Sequence, residues 1–168
     1  MTHDPLIAEL FLEAIGEAKR NAQSLSSSLR RLGGALPFSA SSLASLDDDA
    51  KDRVDAFCLR FLKLQDTLGR PVFRSLLALE LEDPENLSQL DILNKMEKRG
   101  IVESVERWVF IRQIRNMITH DYPEAPEKRV EALNKAIEFS GDLLAILDKV
   151  EAYVAIHTGV NVLPRANQ

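Results

Sequence analysis

Apolar residues recur every three or four positions along most of the chain, and the breaks between these runs carry residues that start and stop helices. Every element the pattern defines is a helix. The first starts with Asp4 as N-cap and Pro5 as first helical residue, and stops before Gly33-Gly34. The Ser-rich stretch from Ser39 to Ser45 reads as either a loop or a weak short helix. Asp47, Asp48 and Asp49 open a second helix, where carboxylates favour the positive end of the helix dipole. It runs through Val54, Phe57, Phe61 and Leu64 to about Leu68, with Gly69 as its stop. Pro71 then begins a third, apolar helix to about Leu81, and Asp83-Pro84 turns the chain into a fourth segment, from about Ser88 to Arg99, ended by Gly100. Two long helices follow, about Glu103 to His120 and about Glu127 to Tyr153, joined by the Pro-bearing link YPEAP. From about Ile156 the tail is expected to fray or to dock loosely.

Short links between long amphipathic helices favour antiparallel neighbours, so the expected fold class is all-α, an up-and-down helical bundle. The 168 residues suit one domain spanning the whole chain, and neither an internal repeat nor a composition shift marks a second. With 45% hydrophobic and 28% charged residues the chain has the balance of an ordinary globular protein rather than a disordered one. A net charge of −5 argues against binding nucleic acid through bulk electrostatics, which needs a dense stripe of Lys and Arg, so any RNA contact has to be local. Cys58 is the only cysteine, which excludes an intramolecular disulfide and leaves a lone thiol without the partners of a zinc site; no metal or other cofactor is expected. MTHDPLIAEL lacks a basic region followed by an apolar core, and no apolar run is long enough to span a bilayer. These features lead to the expectation of a cytoplasmic protein, neither secreted nor in a membrane.

The candidate chemistry lies in Arg115-Asn116-Met117-Ile118-Thr119-His120-Asp121-Tyr122. At ~100° per residue, Phe110, Ile111, Ile114, Met117 and Ile118 share one arc, the expected core face. Arg112, Arg115, Asn116, Thr119 and His120 fill the opposite arc. Arg115 lies at its edge, beside Trp108 and Ile111, where its stem can pack while the guanidinium reaches outward. Arg115 and His120 are ~140° apart around the axis, so they border one polar face on which a phosphate can sit, particularly if a second subunit closes the groove. These residue types suit RNA cleavage without a metal. A base takes the 2′-hydroxyl proton, an acid protonates the leaving 5′-oxygen, and a cation stabilises the phosphorane-like transition state. Histidine, with an unperturbed pKa of ~6.5, can do either proton transfer, and Arg grips phosphate oxygens in a bidentate fork. The dipole at a helix C-terminus tilts His120 toward the acid role, which leaves the base to a second copy or to the surroundings of the 2′-hydroxyl. Taken singly, each residue has a plainer use: His120 as a favourable helix-end charge, Arg115 in an ion pair with a neighbouring helix, Asn116 or Asp121 as a cap, Tyr122 as a packed loop anchor.

The combination is more specific. The string RNMITHDY resembles the Arg-x-x-x-x-His-x-Tyr signature of HEPN-domain ribonuclease toxins of the HepT kind, with Asn at the usual polar position after the Arg. Its setting agrees, since it closes the penultimate long helix and is followed by a Pro-bearing turn into the last. The resemblance covers roughly Asp52 to Tyr153, and only the motif is diagnostic. It implies a bundle of HEPN type, a helical homodimer with the Arg and His of both subunits around one cleft, and metal-independent endoribonuclease activity on RNA. His120 would be the general acid/base, Arg115 the phosphate-gripping group and Asn116 a polar helper. It also implies a partner, a minimal nucleotidyltransferase (MNT) antitoxin that inactivates the toxin by adenylylating the motif tyrosine, here Tyr122. The first ~50 residues exceed the family's compact pattern, as an extra N-terminal helical segment. A different reading of the same fold is a non-catalytic HEPN-like module that binds a nucleotidyltransferase or a nucleotide.

Overall fold

The structure, a computed structural model, describes residues 4–162, and every regular element among them is helical. Helix α1 is Pro5–Leu32. Asp4 caps it by accepting from the Leu6 backbone N–H at 2.9 Å, and Gly33, at φ +67°, turns the chain out of it. The Ser-rich stretch, for which two readings were open, forms a short helix, α2 (Ala40–Ala44). Ser39 and Ser42 satisfy each other's backbone N–H groups there in a capping box. The link before it is clamped to the last helix by Asn134, whose side chain accepts from the Phe38 N–H at 2.9 Å and donates to the Phe38 carbonyl at 2.8 Å. Helix α3 is Asp48–Thr67, capped by Asp47, which accepts from the Ala50 N–H at 2.8 Å.

Gly69 does not end this helix, and Pro71 does not start a separate one. The chain passes through one wide π-type turn, Leu68–Val72, straight into α4 (Phe73–Leu79). In a regular helix Pro71 would lack its N–H and press its ring against the carbonyl four residues back, and widening the turn absorbs both defects. The glycine serves packing instead. A Cβ on Gly69 would stand 2.9 Å from Cζ2 of Trp108, so only a residue without one lets the indole edge come this close.

Helix α5, Gln89–Lys98, starts at a capping box between Ser88 and Asp91, and the chain leaves it through Gly100 at φ +69°. Helix α6, Val105–Met117, is capped by Ser104, whose hydroxyl accepts from the Arg107 N–H at 3.1 Å. It stops at Met117, short of the expected His120, because Thr119 closes the end: its N–H and its hydroxyl both donate to the Asn116 carbonyl. Helix α7, Pro126–His157, runs past the expected end at Tyr153. Beyond it the chain is docked: Thr158 is buried, and Lys19 donates to the Val162 carbonyl at 2.7 Å. The rest of the expected tail, from 163, lies outside the described residues.

The pairings that bridge helices run in opposite senses along them. Asn21 bonds Thr67 and Ser28 bonds Arg60, which makes α1 and α3 antiparallel. Arg107 pairs with Asp142 and Phe110 packs edge-on against Phe139, which does the same for α6 and α7. The first helix is part of the core rather than an appendage: Phe11, Ile15, Ala18 and Leu25 are buried in the same cluster as Phe57, Phe61 and Leu64 of α3. Each large side chain buried in this way contributes about 1.5–3 kcal/mol. The α4–α5 connection is tied to α7 by polar contacts, with Arg99 donating to Glu80 and Glu82 while the Tyr153 hydroxyl donates to Glu80 at 2.6 Å. No helix among the described residues is long and apolar enough to cross a membrane.

Candidate functional site

Helix α6 presents three faces. Trp108, Ile111 and Ile114 are buried, whereas Phe110, Met117 and Ile118, expected with Ile111 and Ile114 on the core face, are only half-buried. The apolar seam is therefore rotated toward Trp108, because the glycine in the π turn admits the indole there. Trp108 itself is 1% exposed. Outward, Val109, Arg112, Gln113 and Asn116 form an exposed stripe at helical spacing.

Arg115 occupies the boundary, as its position in the pattern required. Its guanidinium is gripped by Asp66 of α3 in a two-point pair, Nε to Oδ1 at 3.0 Å and Nη2 to Oδ2 at 2.8 Å, and Nη1 donates to the Asn116 side chain at 3.3 Å. The hydrogen bonds to Asp66 push the Arg115 pKa further above its ordinary value, against the opposing effect of burial. The fork that would hold a phosphate is thus filled by a carboxylate within the chain.

His120 lies on the surface in the turn after α6, with its backbone N–H donating to the Met117 carbonyl at 3.2 Å. Its ring makes no hydrogen bond or ion pair among the described residues and meets Tyr122 edge-to-face, centroids 5.8 Å apart. Because the helix ends three residues earlier, His120 is outside the last turn, where the dipole acts, and not at the helix C-terminus expected for an acid role.

Tyr122 is not on an extended link. Its φ is +44°, a left-handed conformation, and its carbonyl accepts from the Ala125 N–H at 3.0 Å to close the turn. Pro123 disfavours the right-handed helical region for the residue before it, and here the chain takes the left-handed alternative. The phenol is half-buried and lines a groove of about 500 Å³ together with Leu43, Val54, Asp121 and Arg129. Its hydroxyl makes no hydrogen bond among the described residues.

The four motif residues are therefore spread over one end of α6 rather than gathered in one cavity. Arg115 borders a pocket of about 360 Å³ with Asp66, Arg70 and Arg112, Tyr122 lines the other groove, His120 stands on the surface between the two in sequence, and Asn116 is exposed beside Arg115. Sequence reasoning missed Asp66 and Arg70. Neither carries a local signal, because both reach the site through the packing of α3 and the π turn against α6. Among the described residues no three His, Cys, Asp or Glu side chains are grouped as a metal site requires. No family model, no curated protein and no solved structure matches this chain.

Proposed function

We propose that this protein is a metal-independent endoribonuclease of the toxin type, in which Arg115 and His120 act on one phosphodiester. The observation that supports it is the end of α6 at Met117, which leaves Arg115 in the last helical turn with its head at the surface and His120 in the following turn, its imidazole packed against Tyr122 and without a hydrogen bond or ion pair among the described residues. In the proposed reaction the RNA 2′-oxygen attacks phosphorus as its proton passes to a base. The bond from phosphorus to the 5′-oxygen breaks as an acid protonates that oxygen, and the products are a 2′,3′-cyclic phosphate and a 5′-hydroxyl. The Arg115 guanidinium, exchanging Asp66 for phosphate oxygens, stabilises the charge that builds on the phosphorane.

Each chain supplies one such histidine, so acid and base together call for a second copy. The stripe of Val109, Arg112, Gln113 and Asn116 is the surface through which a two-fold dimer brings two Arg115/His120 sets together. In the same reading the partner is a minimal nucleotidyltransferase antitoxin, and Tyr122, whose hydroxyl makes no hydrogen bond among the described residues, is the residue it adenylylates. End-group analysis tests the chemistry. RNA cut in the presence of EDTA should carry 2′,3′-cyclic or 3′-phosphate termini, and 5′-phosphate termini would refute the 2′-hydroxyl attack.

The Asp66 pair favours a second reading, a non-catalytic helical module that binds a nucleotidyltransferase or a nucleotide, with Arg115 holding α6 to α3. Stable complex formation by a protein that leaves RNA intact would select that alternative.

A further inference from the structure

The pocket of about 360 Å³ beside Arg115 is built from residues outside the Arg-to-Tyr motif. It lies where the end of α3, the π turn, the start of α5 and the middle of α6 meet, lined by Gln65, Gly69, Arg70, Gln89, Trp108 and Arg112 in addition to the Asp66–Arg115 pair. Its charges do not balance. Asp66 is the one carboxylate among the lining residues, and both of its oxygens are taken up by Arg115. Arg70 and Arg112 are exposed and make no ion pair or side-chain hydrogen bond among the described residues. Two uncompensated guanidinium groups thus face one cavity in a protein whose net charge is −5.

The buried wall of the pocket adds donors. Gln65 is only 4% exposed, yet its amide has no hydrogen-bond partner among the described residues, and no fully buried side-chain polar atom is left unpartnered. Part of its small exposed area therefore belongs to the amide, and Gln65 lines the pocket. Trp108, at 1% exposure, follows the same logic for its indole N–H: it makes no hydrogen bond among the described residues, and the ring edge beside Gly69 is the Cε2–Cζ2 edge next to that nitrogen. A polar group held nearly out of water without a partner is costly. Here two such groups and two free guanidinium forks converge on one space.

We propose that this pocket is a binding site for a phosphoryl oxyanion, with Arg70 and Arg112 supplying charge and Gln65 and Trp108 supplying N–H donors from the wall. Guanidinium forks match the oxygens of phosphate in geometry as well as charge. The volume exceeds that of a bare ion and lies at the small end of the range for small-molecule sites, about 300–1,000 Å³, which suits a phosphate carried on a larger ligand. The indole presents an edge and no open face, so the pocket recognises charge and not a stacked base. Gly69 is what makes the wall possible, since any side chain there would drive the indole out. The site does not require His120 and stands whether or not the chain cuts RNA.

Trp108 is the only tryptophan and reports occupancy directly. At constant ionic strength, emission should change saturably with a 5′-mononucleotide, which offers a phosphomonoester, or with a dinucleotide without terminal phosphate, which offers only a backbone diester. A response to the first alone identifies a free phosphorylated small molecule as the ligand class. A response to the second identifies a nucleic-acid backbone. Arg70→Gln and Arg112→Gln, each checked for folding by circular dichroism and for oligomeric state by sedimentation, should each weaken binding about tenfold. The proposal is overturned by a flat response to both probes, or by equal affinity in the Arg70→Gln/Arg112→Gln double variant. A ribonuclease failure would appear separately, as intact RNA with binding preserved.

Discussion

Arg115 and Asp66, 49 residues apart in sequence, hold each other through two parallel hydrogen bonds across the α3–α6 contact. The Arg115 side chain is 27% exposed and that of Asp66 47%, so the pair sits in partly solvated surroundings and contributes at most about 1 kcal/mol to stability. Its larger consequence is competition, since a substrate phosphate has to displace the Asp66 carboxylate to reach the fork. Asp66→Asn should therefore lower the KM for RNA several-fold with little change in melting temperature. A fall in kcat with KM unchanged would instead make Asp66 a residue that orients Arg115 for the reaction.

The tight approach of Trp108 to the π turn predicts that Gly69→Ala is destabilising. The added methyl would lie 2.9 Å from Cζ2, inside any normal contact, and the indole is too well packed to move freely. Overpacking of this kind costs about 1–3 kcal/mol. Denaturant melts should show that loss together with a red shift in Trp108 emission, and unchanged stability would mean that the turn relaxes without strain.

Which of these relationships were legible beforehand follows from their range. The caps at Asp4, Asp47, Ser88 and Ser104 and the left-handed exits at Gly33 and Gly100 are made within a few residues, so these starts and these two stops follow from local chemistry. The all-helical bundle follows from the same spacing. Gly69 and Pro71 read locally as a stop and a start, yet the helix continues, because what decides them is an indole arriving from a helix almost 40 residues later. The Asp66 pair, the charge imbalance around Arg70 and the rotation of the core seam toward Trp108 are likewise set by which helices touch. Tyr122 illustrates a nearer limit: Pro123 excludes one backbone region but does not choose between the remaining ones.

Cys58 should react sluggishly in the folded protein. Burial chiefly, with help from the nearby Asp55 carboxylate, pushes its thiol pKa up from 9.0 to about 11. At pH 8 the thiolate fraction, and with it the alkylation rate, should be about 100-fold below that of an unperturbed thiol, with the difference abolished in denaturant. Stoichiometric labelling of native protein at the denatured rate would contradict this environment.

Stability should fall in acid through Glu82. Burial raises this carboxyl, but hydrogen bonds from Lys95 and Arg99 outweigh it and hold the pKa below the ordinary 4.5. A depressed folded-state pKa means that the unfolded chain binds the proton more readily. The stabilisation is therefore complete above the ordinary value and is lost as pH drops through the lower, folded-state one. Melting temperature against pH should decline below about 4.5 in wild type, and less steeply in Glu82→Gln, which has already lost this contribution. Identical slopes would remove Glu82 as a contributor.

The proposed chemistry stands or falls on single-turnover cleavage of a defined RNA by purified wild type, Arg115→Ala and His120→Ala, in EDTA. Each substitution should slow the step by ~100-fold or more, the usual scale for a positioned acid/base or a charge stabiliser. All three proteins should keep the same helical circular dichroism. Cleavage by both variants at the wild-type rate would contradict the proposed chemistry.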